Sequence, residues 1–379
     1  MMYYFIESKE ADVVGLFCLY RIFLLNRERI WCIIKVGDFM NVKEKLFELV
    51  KLQGVSGFEF EIAEYLKNEL EKVCHKVWIN KHKSVIGCIK SEKENAKKIL
   101  IDAHLDQIGM MVKGIDDKGF VSFTNIGGID ERILPASEVF ILGKEKVYGV
   151  IGAKPPHLLT KEDAEKNPQI RDMLIDVGMD KEEAEKVIEV GDAIIMKSEP
   201  TELLDHKVSS MALDNRAGIA SVLYAIENLK SDCDVYVVFS SQEETGLQGG
   251  YTAAAEIHPD LAIVIDLTHG ETPDAKDKAG VFPLGSGAVI CRGPNLDYEK
   301  TLKLIEMAKE NNIKFEIEVA EGSSGTNAWL MQTCRQGVPC VLISIPLRYM
   351  HTSVETVLIK DIEETGKLIK VALGGDILA

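Results

Sequence analysis

The chain has 379 residues, of which 46% are hydrophobic and 27% charged, so we expect a globular protein with a large core and two domains. Sixty acidic residues against 44 basic ones leave a net charge of −16, which disfavours binding to nucleic acid. The eight cysteines are scattered and form no CxxC pair, a pattern typical of reduced thiols in a cytoplasmic protein rather than of a disulfide framework or a thiolate metal site.

The first 39 residues form an atypical leader. Residues 13–20 are apolar, but Arg21 interrupts the run, which is too short to span a bilayer. No basic segment precedes the run and no small-residue cleavage site follows it, so the pattern predicts neither a signal peptide nor a membrane anchor. We hypothesise that Met40 is the natural start, which N-terminal sequencing of native material would test.

From Met40 onward the sequence pattern is first typical of an α/β unit and then, from about residue 110, of short β-strands. Helices are predicted at 42–52 and 59–73 from their apolar spacing, and strands at 85–89 and 98–102. Residues 110–203 carry short alternating runs between turn signals, with strands at 121–124, 139–142 and 147–151. Short helices are expected near 160–163 and 180–190. This span predicts a small β-rich domain inserted into the α/β one.

The α/β pattern resumes near residue 205. A helix with Asp214 in its N-cap region is expected to run to about residue 229. Further strands are predicted at 234–239, 261–265, 287–291, 314–319 and 340–344, with helices at 251–255, 302–310 and 363–373 and one beginning at 323–327. The expected fold class is α/β, with a mixed, largely parallel sheet flanked by helices. The catalytic domain would comprise 40–109 plus 204–379, and the inserted domain 110–203.

Potential metal ligands follow the apolar strands at several points in the chain. The residues at these strand ends or at the helix start are His104, Asp106, Asp214, Glu243, Glu244, Asp266 and His351. Because the carboxyl ends of parallel strands meet at one edge of a sheet, these side chains are expected to lie together.

The types of these residues indicate the class of metal. Imidazoles with carboxylates and no thiolate favour zinc, cobalt or manganese. The set exceeds what one zinc ion needs and suits two metals about 3.5–4 Å apart. Of the adjacent pair Glu243 and Glu244, one would bind metal and the other would face a metal-bound water.

Five motifs together resemble the tetrahedral aminopeptidase family of dinuclear metallopeptidases, which includes glutamyl and deblocking aminopeptidases and some members described as endoglucanases. The motifs are AHLD at 103–106, LDNRAG at 213–218, QEETGLQGG at 242–250, IDLTHG at 265–270 and RYMHTSVET at 348–356. The resemblance covers the chain from about Met40 to the C-terminus. It implies a zinc-exopeptidase-like fold and two divalent metal ions per subunit, with zinc or cobalt favoured.

The resemblance also implies a role for each residue. His104, Asp214 and Asp266 would hold one metal, and Asp214, Glu244 and His351 the other, so that Asp214 bridges the two. Asp106 would bond to His104 and orient its ring, which is the usual role of a carboxylate behind a metal-binding histidine. Glu243 would be the general base. A cis peptide bond is implied between Asp214 and Asn215.

The chain departs from the family pattern at several places. Gln107 stands where a glutamate is usual, and Asn327 where an aspartate is common. Thr352 and Ser353 replace a usual Ser-Pro pair. None of these positions is a metal ligand in the family, so we expect the chemistry to survive, although the substitutions alter the local carboxylate balance and bear on substrate positioning.

The expected function is hydrolysis of the N-terminal residue of short peptides by a metal-activated water. The resemblance further implies that the β-rich domain forms dimers, which assemble into a hollow dodecamer; neither nucleic acid nor membrane is an expected partner. An N-acyl amino acid deacylase or a carboxypeptidase of the same fold stays open, although these usually carry their extra domain later in the chain. An endoglucanase or a non-catalytic assembly protein is a further alternative. The sequence leaves open the preferred N-terminal residue and the physiological metal.

Overall fold

The computed structural model describes residues 40–158, 167–273 and 280–378. The leader at 1–39 and the short helix expected near 160–163 lie outside these ranges. Within them, no helix combines the length and the apolar character that a membrane span requires.

A mixed eight-stranded sheet lies at the centre of the described structure. Numbered along the chain, its strands are β1 Lys76–Ile79, β2 Val85–Ile89, β3 Lys98–His104, β12 Asp234–Ser240, β13 Leu261–His269, β14 Ala288–Arg292, β15 Phe315–Val319 and β16 Cys340–Leu347. Their order is β1-β2-β12-β3-β13-β16-β14-β15. The four neighbours β12, β3, β13 and β16 are parallel to one another. On either side of these four, β2 pairs antiparallel with β12, and β14 pairs antiparallel with β16. At the edge of the sheet β14 and β15 pair parallel again, so the sheet is mixed and largely parallel, as expected from the sequence.

Helices pack on both faces of this sheet. They are α1 Val42–Leu49, α2 Phe60–Glu71, α4 Leu213–Ile226, α5 Gln248–Ile257, α6 Tyr298–Glu310, α7 Ala328–Met331 and α8 Ile359–Gly374, and α3 Lys181–Val187 lies outside the sheet region. Alternate residues of one strand enter different cores: Ile99 and Ile101 pack on one side, and Leu100 on the other. Because successive side chains of a strand point to opposite faces, such strands are apolar throughout.

Six strands between residues 109 and 196 form a closed barrel. They are β4 Gly109–Ile115, β5 Val121–Ile126, β6 Glu138–Leu142, β7 Lys146–Ile151, β8 Ile175–Asp176 and β9 Ala193–Met196. The residues of β7 alternate strictly between exposed and buried, as a barrel strand with one inner face requires. The barrel has an apolar core of its own, which includes Phe123 and Ile141. The expected fold class, an α/β sheet protein with a small inserted β-rich unit, is confirmed.

A third, small sheet was not expected from the sequence. It pairs β10 Thr201–Leu203 with β11 Lys207–Ser210, and β11 with β17 Glu355–Leu358, all antiparallel. In this sheet Ser210, four residues before Asp214, pairs with Glu355, four residues after His351. The small sheet thereby joins two chain segments that carry candidate ligands far apart in sequence.

Several predicted element boundaries differ from the structure, and two of the differences lie near the candidate ligands and the cleft. The strand expected to end at residue 265 continues to His269, because β13 stays paired with β16 as far as His269 and Leu347. Asp266 therefore lies inside a strand and not after one. The helix expected to begin at 323–327 is limited to Ala328–Met331, since the residues before it form turns.

Candidate metal centre

His104 and the Glu243–Glu244 loop are brought together by strand pairing. His104 is the last residue of β3 and pairs with Ser240, the last residue of β12. The loop that follows β12 is then tied to the loop after β3, because the Asp106 carboxylate accepts hydrogen bonds from the backbone N–H groups of Glu243 at 3.0 Å and Glu244 at 3.1 Å. The adjacent glutamates are thus fixed beside His104 by their own backbone.

Asp214 enters the same region from the start of α4. Its φ and ψ of −81° and 106° are not helical, and no side-chain bond caps this helix, so the expected N-cap role for Asp214 is wrong. The peptide bond between Asp214 and Asn215 is cis, as the family resemblance implies. The Asp214 carboxylate faces two histidines instead of the helix N–H groups.

The candidate ligands form two groups, and Asp214 belongs to both. His104, Asp214 and Asp266 make the first group, and Asp214, Glu244 and His351 the second; within each group the donor atoms lie within 4.8 Å of one another. The sequence-predicted ligands are thus all brought together.

The distances in the first group suit a single small cation. His104 Nε2 is 3.1 Å from Asp214 Oδ1 and 3.8 Å from Asp266 Oδ1. Ligand atoms that surround one zinc ion at about 2.0–2.2 Å in a tetrahedron are about 3.3–3.6 Å apart. The nitrogen and oxygen donors of this group fit a metal of that kind without a large rearrangement.

The second group uses the other oxygen of Asp214. His351 Nε2 is 3.6 Å from Asp214 Oδ2 and 3.4 Å from Glu244 Oε1. Since Oδ1 faces His104 and Oδ2 faces His351, the Asp214 carboxylate has one oxygen for each group. This arrangement is the one a carboxylate needs to bridge two cations.

Burial of so many carboxylates in one place has a large electrostatic effect. Burial raises the pKa of Asp266 to about 8 and also raises the pKa of Glu244. For Asp214, the two histidines outweigh burial and hold the pKa well below its usual range. In return, and against the effect of burial, Asp214 and Glu244 raise the pKa of His351 to about 11. Two imidazoles do not supply enough positive charge to keep all of these buried carboxylates ionised. Divalent cations would supply the remainder.

Glu243 lies beside the two groups but belongs to neither. It lines the same cleft and is buried, with 8% of its surface exposed. Burial raises its pKa well above the usual range for a glutamate, which suits a group that takes up a proton and gives it away again.

The role expected for Asp106 needs a correction. Its carboxylate is 3.6 Å from His104 Nδ1, beyond hydrogen-bond distance, whereas its backbone carbonyl accepts from Nδ1 at 3.1 Å. A proton on Nδ1 leaves the Nε2 lone pair free to face Asp214 and Asp266. The ring is thus oriented by the backbone of Asp106, and the carboxylate positions the Glu243–Glu244 loop.

Glu355 is a residue of the site that the sequence interpretation missed. It is buried, and its carboxylate accepts from the backbone N–H of Asp214 at 3.2 Å and of His351 at 2.8 Å. Burial raises its pKa well above the usual range. The residue is visible in the RYMHTSVET motif, but its function depends on the small sheet, which the sequence pattern did not predict.

The residues that depart from the family pattern make internal contacts. Gln107 Oε1 accepts from the buried Arg216 at 3.4 Å. The Asn327 side-chain amide donates to the carboxylate of Asp102 at 2.7 Å and to the Ser240 hydroxyl at 2.8 Å. Neither residue is among the two ligand groups, so the departures affect the support of the site and not its donor set.

The two groups open into a cleft of about 370 Å³. Its wall beyond the ligands and Glu243 is formed by Leu267, Thr268, His269, Cys291, Glu318, Ala320, Ser323, Ser324, Gly325, Thr326, Leu342, Ser344 and Met350. A cavity of this size accommodates a small ligand or one end of a peptide. The buried ligand set thus has an access route from solvent.

Known proteins share this chain's sequence and fold. The family model described as M42 glutamyl aminopeptidase matches residues 84–368. A lysyl aminopeptidase from Pyrococcus furiosus is 34% identical over 338 residues, which are 87% of this chain and 96% of the relative. The structure of an aminopeptidase from the archaeon Desulfurococcus kamchatkensis superposes with a TM-score of 0.82 at 33% identity and covers 88% of this chain and 94% of its own. The Pyrococcus horikoshii TET1 peptidase, which can assemble into a tetrahedron or a large octahedral shell, superposes with a TM-score of 0.77 at 30% identity, over 88% of this chain and 99% of its own.

Replacing Glu355 by alanine is expected to weaken both the fold and metal binding. The change leaves the buried N–H of Asp214 without an acceptor, which costs about 1–3 kcal/mol, and the part-buried N–H of His351 as well, at a smaller cost. Loss of such support typically lowers metal affinity by about 10–100-fold. Urea denaturation and zinc titration measure the two effects, with the exposed Glu310→Ala as control. An unchanged zinc affinity in Glu355→Ala would contradict the role given to Glu355.

Proposed function

The chain belongs to the M42 glutamyl aminopeptidase family, as its motifs predict, and we propose that it is a two-metal enzyme that hydrolyses the N-terminal residue of short peptides. The observation that carries this proposal is the pair of ligand groups that share Asp214, with Glu243 beside them in one cleft. Members of this family are aminopeptidases, so the hydrolytic class follows from membership, and the residue roles are the proposal.

The proposed metal sites use the two groups as they stand. His104, Asp214 and Asp266 would hold one divalent ion, and Asp214, Glu244 and His351 would hold the second. Two imidazoles and carboxylates without a thiolate suit zinc or cobalt. When bound, two such ions would acidify a water molecule and polarise the scissile carbonyl group.

The proton transfers fall to Glu243. Its position beside both groups suits removal of a proton from the attacking water and delivery of that proton to the leaving amine. Burial raises its pKa, which favours the uptake of a proton from the attacking water. The Asp106 carboxylate assists by fixing the backbone of Glu243 and Glu244.

Cleavage at the N-terminal residue is supported by the charge of the cleft. A free α-ammonium group lies only two bonds from the scissile carbonyl carbon, so it enters the region of the buried carboxylates together with that carbon. The carboxylate of Glu243, which lies outside both ligand groups, favours a positive charge there. A peptide bound further from its N-terminus presents a neutral amide at the same place and gains no such interaction.

The alternatives of the same fold are less well supported. The barrel strands lie between His104 and Asp214, whereas the related carboxypeptidases and deacylases usually carry their extra domain after the third carboxylate motif. An endoglucanase needs two opposed carboxylates that act directly on the sugar, but the carboxylates here face histidines at ligand distances. A non-catalytic assembly protein has no need for the complete ligand set with a base.

We further propose that the protein self-associates and that the barrel forms the contact between two subunits. Tyr148 and Val150 are exposed apolar residues on the outer face of β7, which suits a contact surface. The similar Pyrococcus horikoshii peptidase can assemble into a tetrahedron or a large octahedral shell, and the similar PhTET1-12s structure holds a dodecamer, which supports a dodecamer for this chain.

The cytoplasm is the proposed location. All six cysteines within the described ranges are free thiols, and Cys88, Cys291, Cys334 and Cys340 are buried. Free buried thiols are usual in proteins of a reducing compartment.

The Glu243→Gln variant tests the assignment of the base. We expect kcat on an aminoacyl p-nitroanilide to fall by about 10²-fold or more, because glutamine cannot carry the proton. Metal content, measured by elemental analysis, should stay at two ions per chain. The neighbouring Glu244→Gln variant is the contrast, since it should lose metal as well as activity. Substantial activity in Glu243→Gln would refute the role of Glu243.

Metal removal tests the two-metal centre itself. Chelator-treated protein is expected to lose its activity, and about two equivalents of zinc or cobalt should restore it. Asp214→Asn should weaken both sites, whereas Asp266→Asn should weaken one. Isothermal titration calorimetry gives the stoichiometry in each case. A chain that binds no metal and gains no activity from zinc or cobalt would favour the non-catalytic alternative.

The assembly is tested by analytical ultracentrifugation. The full chain is expected to sediment as a dodecamer with dimers as the smaller species. Val150→Asp, which places a charge on the outer barrel face, should shift the distribution toward smaller species. A stable monomer of the unmodified chain would show that the proposed assembly is wrong.

A further inference from the structure

One acidic residue of the cleft has no part in the proposed chemistry. Glu318 lies on β15 at the edge of the central sheet and is half-buried in the wall of the cleft. It is absent from both ligand groups, and no Lys or Arg in the described ranges forms an ion pair with it. The carboxylate is therefore available to a ligand that enters the cleft.

The sheet places Glu318 beyond the metal-binding groups. Asp266 pairs with Ser344 across β13 and β16, and Cys291 pairs with Glu318 across β14 and β15; Ser344 and Cys291 both line the cleft between these ends. The wall of the cleft thus runs across the sheet from a proposed ligand to Glu318.

A hydrogen bond fixes the direction of the Glu318 side chain. Its carboxylate accepts from the Thr268 hydroxyl at 2.7 Å. Thr268 follows Asp266 by two residues on the same face of β13, which corresponds to about 7 Å along the strand. This hydrogen bond holds the carboxylate toward the cleft. The carboxylate lies beside Thr268 and not beside Asp266, so it is set apart from the metal-binding groups.

Within the described wall of the cleft, His104 and His351 face the carboxylates of the two ligand groups and not Glu318. None of the residues that line it is a lysine or an arginine. A substrate with an acidic N-terminal side chain would meet Glu318 without a positive partner in this wall. A basic side chain would meet a half-buried carboxylate, where an ion pair is less screened than at the open surface.

We propose that Glu318 is a specificity-determining residue that binds the positive side chain of an N-terminal lysine or arginine. This inference rests on the proposed aminopeptidase function and names the substrate class of the same cleft. The α-ammonium group, two bonds from the scissile carbon, stays beside Glu243 and Asp266. The longer lysine stem carries its ammonium group away from that centre, toward the carboxylate that Thr268 holds.

The test compares three substrates on the full-length, metal-loaded enzyme. Lysyl, leucyl and glutamyl p-nitroanilides are assayed with the unmodified enzyme and with Glu318→Gln and Glu318→Lys. Glu316→Gln is the matched control, because Glu316 is an exposed glutamate on the same strand. The Glu318→Gln change should lower the lysyl-to-leucyl ratio of kcat/KM by about tenfold or more, mainly through KM, since one half-buried charge pair is lost. Glu318→Lys should raise the glutamyl-to-lysyl ratio.

Each other outcome overturns the proposal. Equal losses on lysyl and leucyl substrates in Glu318→Gln would show that Glu318 binds the common α-ammonium group instead. Unchanged ratios in both variants would show that Glu318 contacts neither group. If the unmodified enzyme cleaves none of the three substrates, the proposed function fails as well, whereas cleavage with unchanged ratios refutes only the role of Glu318.

Discussion

The Asp214 carboxylate, held between two histidines in a buried pocket, is the interaction on which the rest of the site depends. One oxygen faces His104 and the other faces His351, and both histidines come from distant parts of the chain. A carboxylate in this position is stable only when positive charge surrounds it. The two histidines face the carboxylate from both sides, and the proposed metal ions would supply the positive charge.

Much of the surrounding structure keeps this carboxylate and its neighbours in place. Glu355 accepts the backbone N–H groups of Asp214 and His351, so one side chain links the two segments that carry them. Asp106 does the same for Glu243 and Glu244. In both cases a buried carboxylate accepts hydrogen bonds from backbone N–H groups. It does not contact the ligand side chains of the residues that it holds. Such contacts hold the backbone of the candidate ligands and of Glu243 in place, and hydrolytic chemistry depends on that positioning.

The adjacency of Glu243 and Glu244 follows from the same geometry. Two neighbouring carboxylates are costly unless they meet different surroundings. Glu244 faces His351, whereas Glu243 stays outside both ligand groups in the cleft. The cleft continues past these residues to Glu318, which extends the negative surface toward the position of a substrate side chain. Electrostatics thus governs both the proposed chemistry and the proposed selection of the substrate.

The sequence by itself determined the elements and the identity of the candidate ligands. Apolar strands such as β2 and β3 are recognisable in the sequence because both of their faces are buried. His104 is the last residue of β3, and Glu244 lies in the loop after β12. The barrel strands were visible in part from their alternation, but short strands such as β9 carry too few residues for a clear period. The order and direction of the outer strands were likewise beyond the pattern, because pairing depends on contacts between distant segments.

Only the tertiary structure decided how the supporting residues act. The pairing of β11 with β17 brings Glu355 to Asp214, and no local pattern encodes a contact across 141 positions. The same holds for Asp106, whose carboxylate is committed to the loop after β12 and not to the adjacent histidine. Glu318 is an ordinary strand residue in the sequence and becomes part of the cleft only through Thr268. Residue types and strand ends are local properties of a chain, whereas the partner of a buried carboxylate is set by packing.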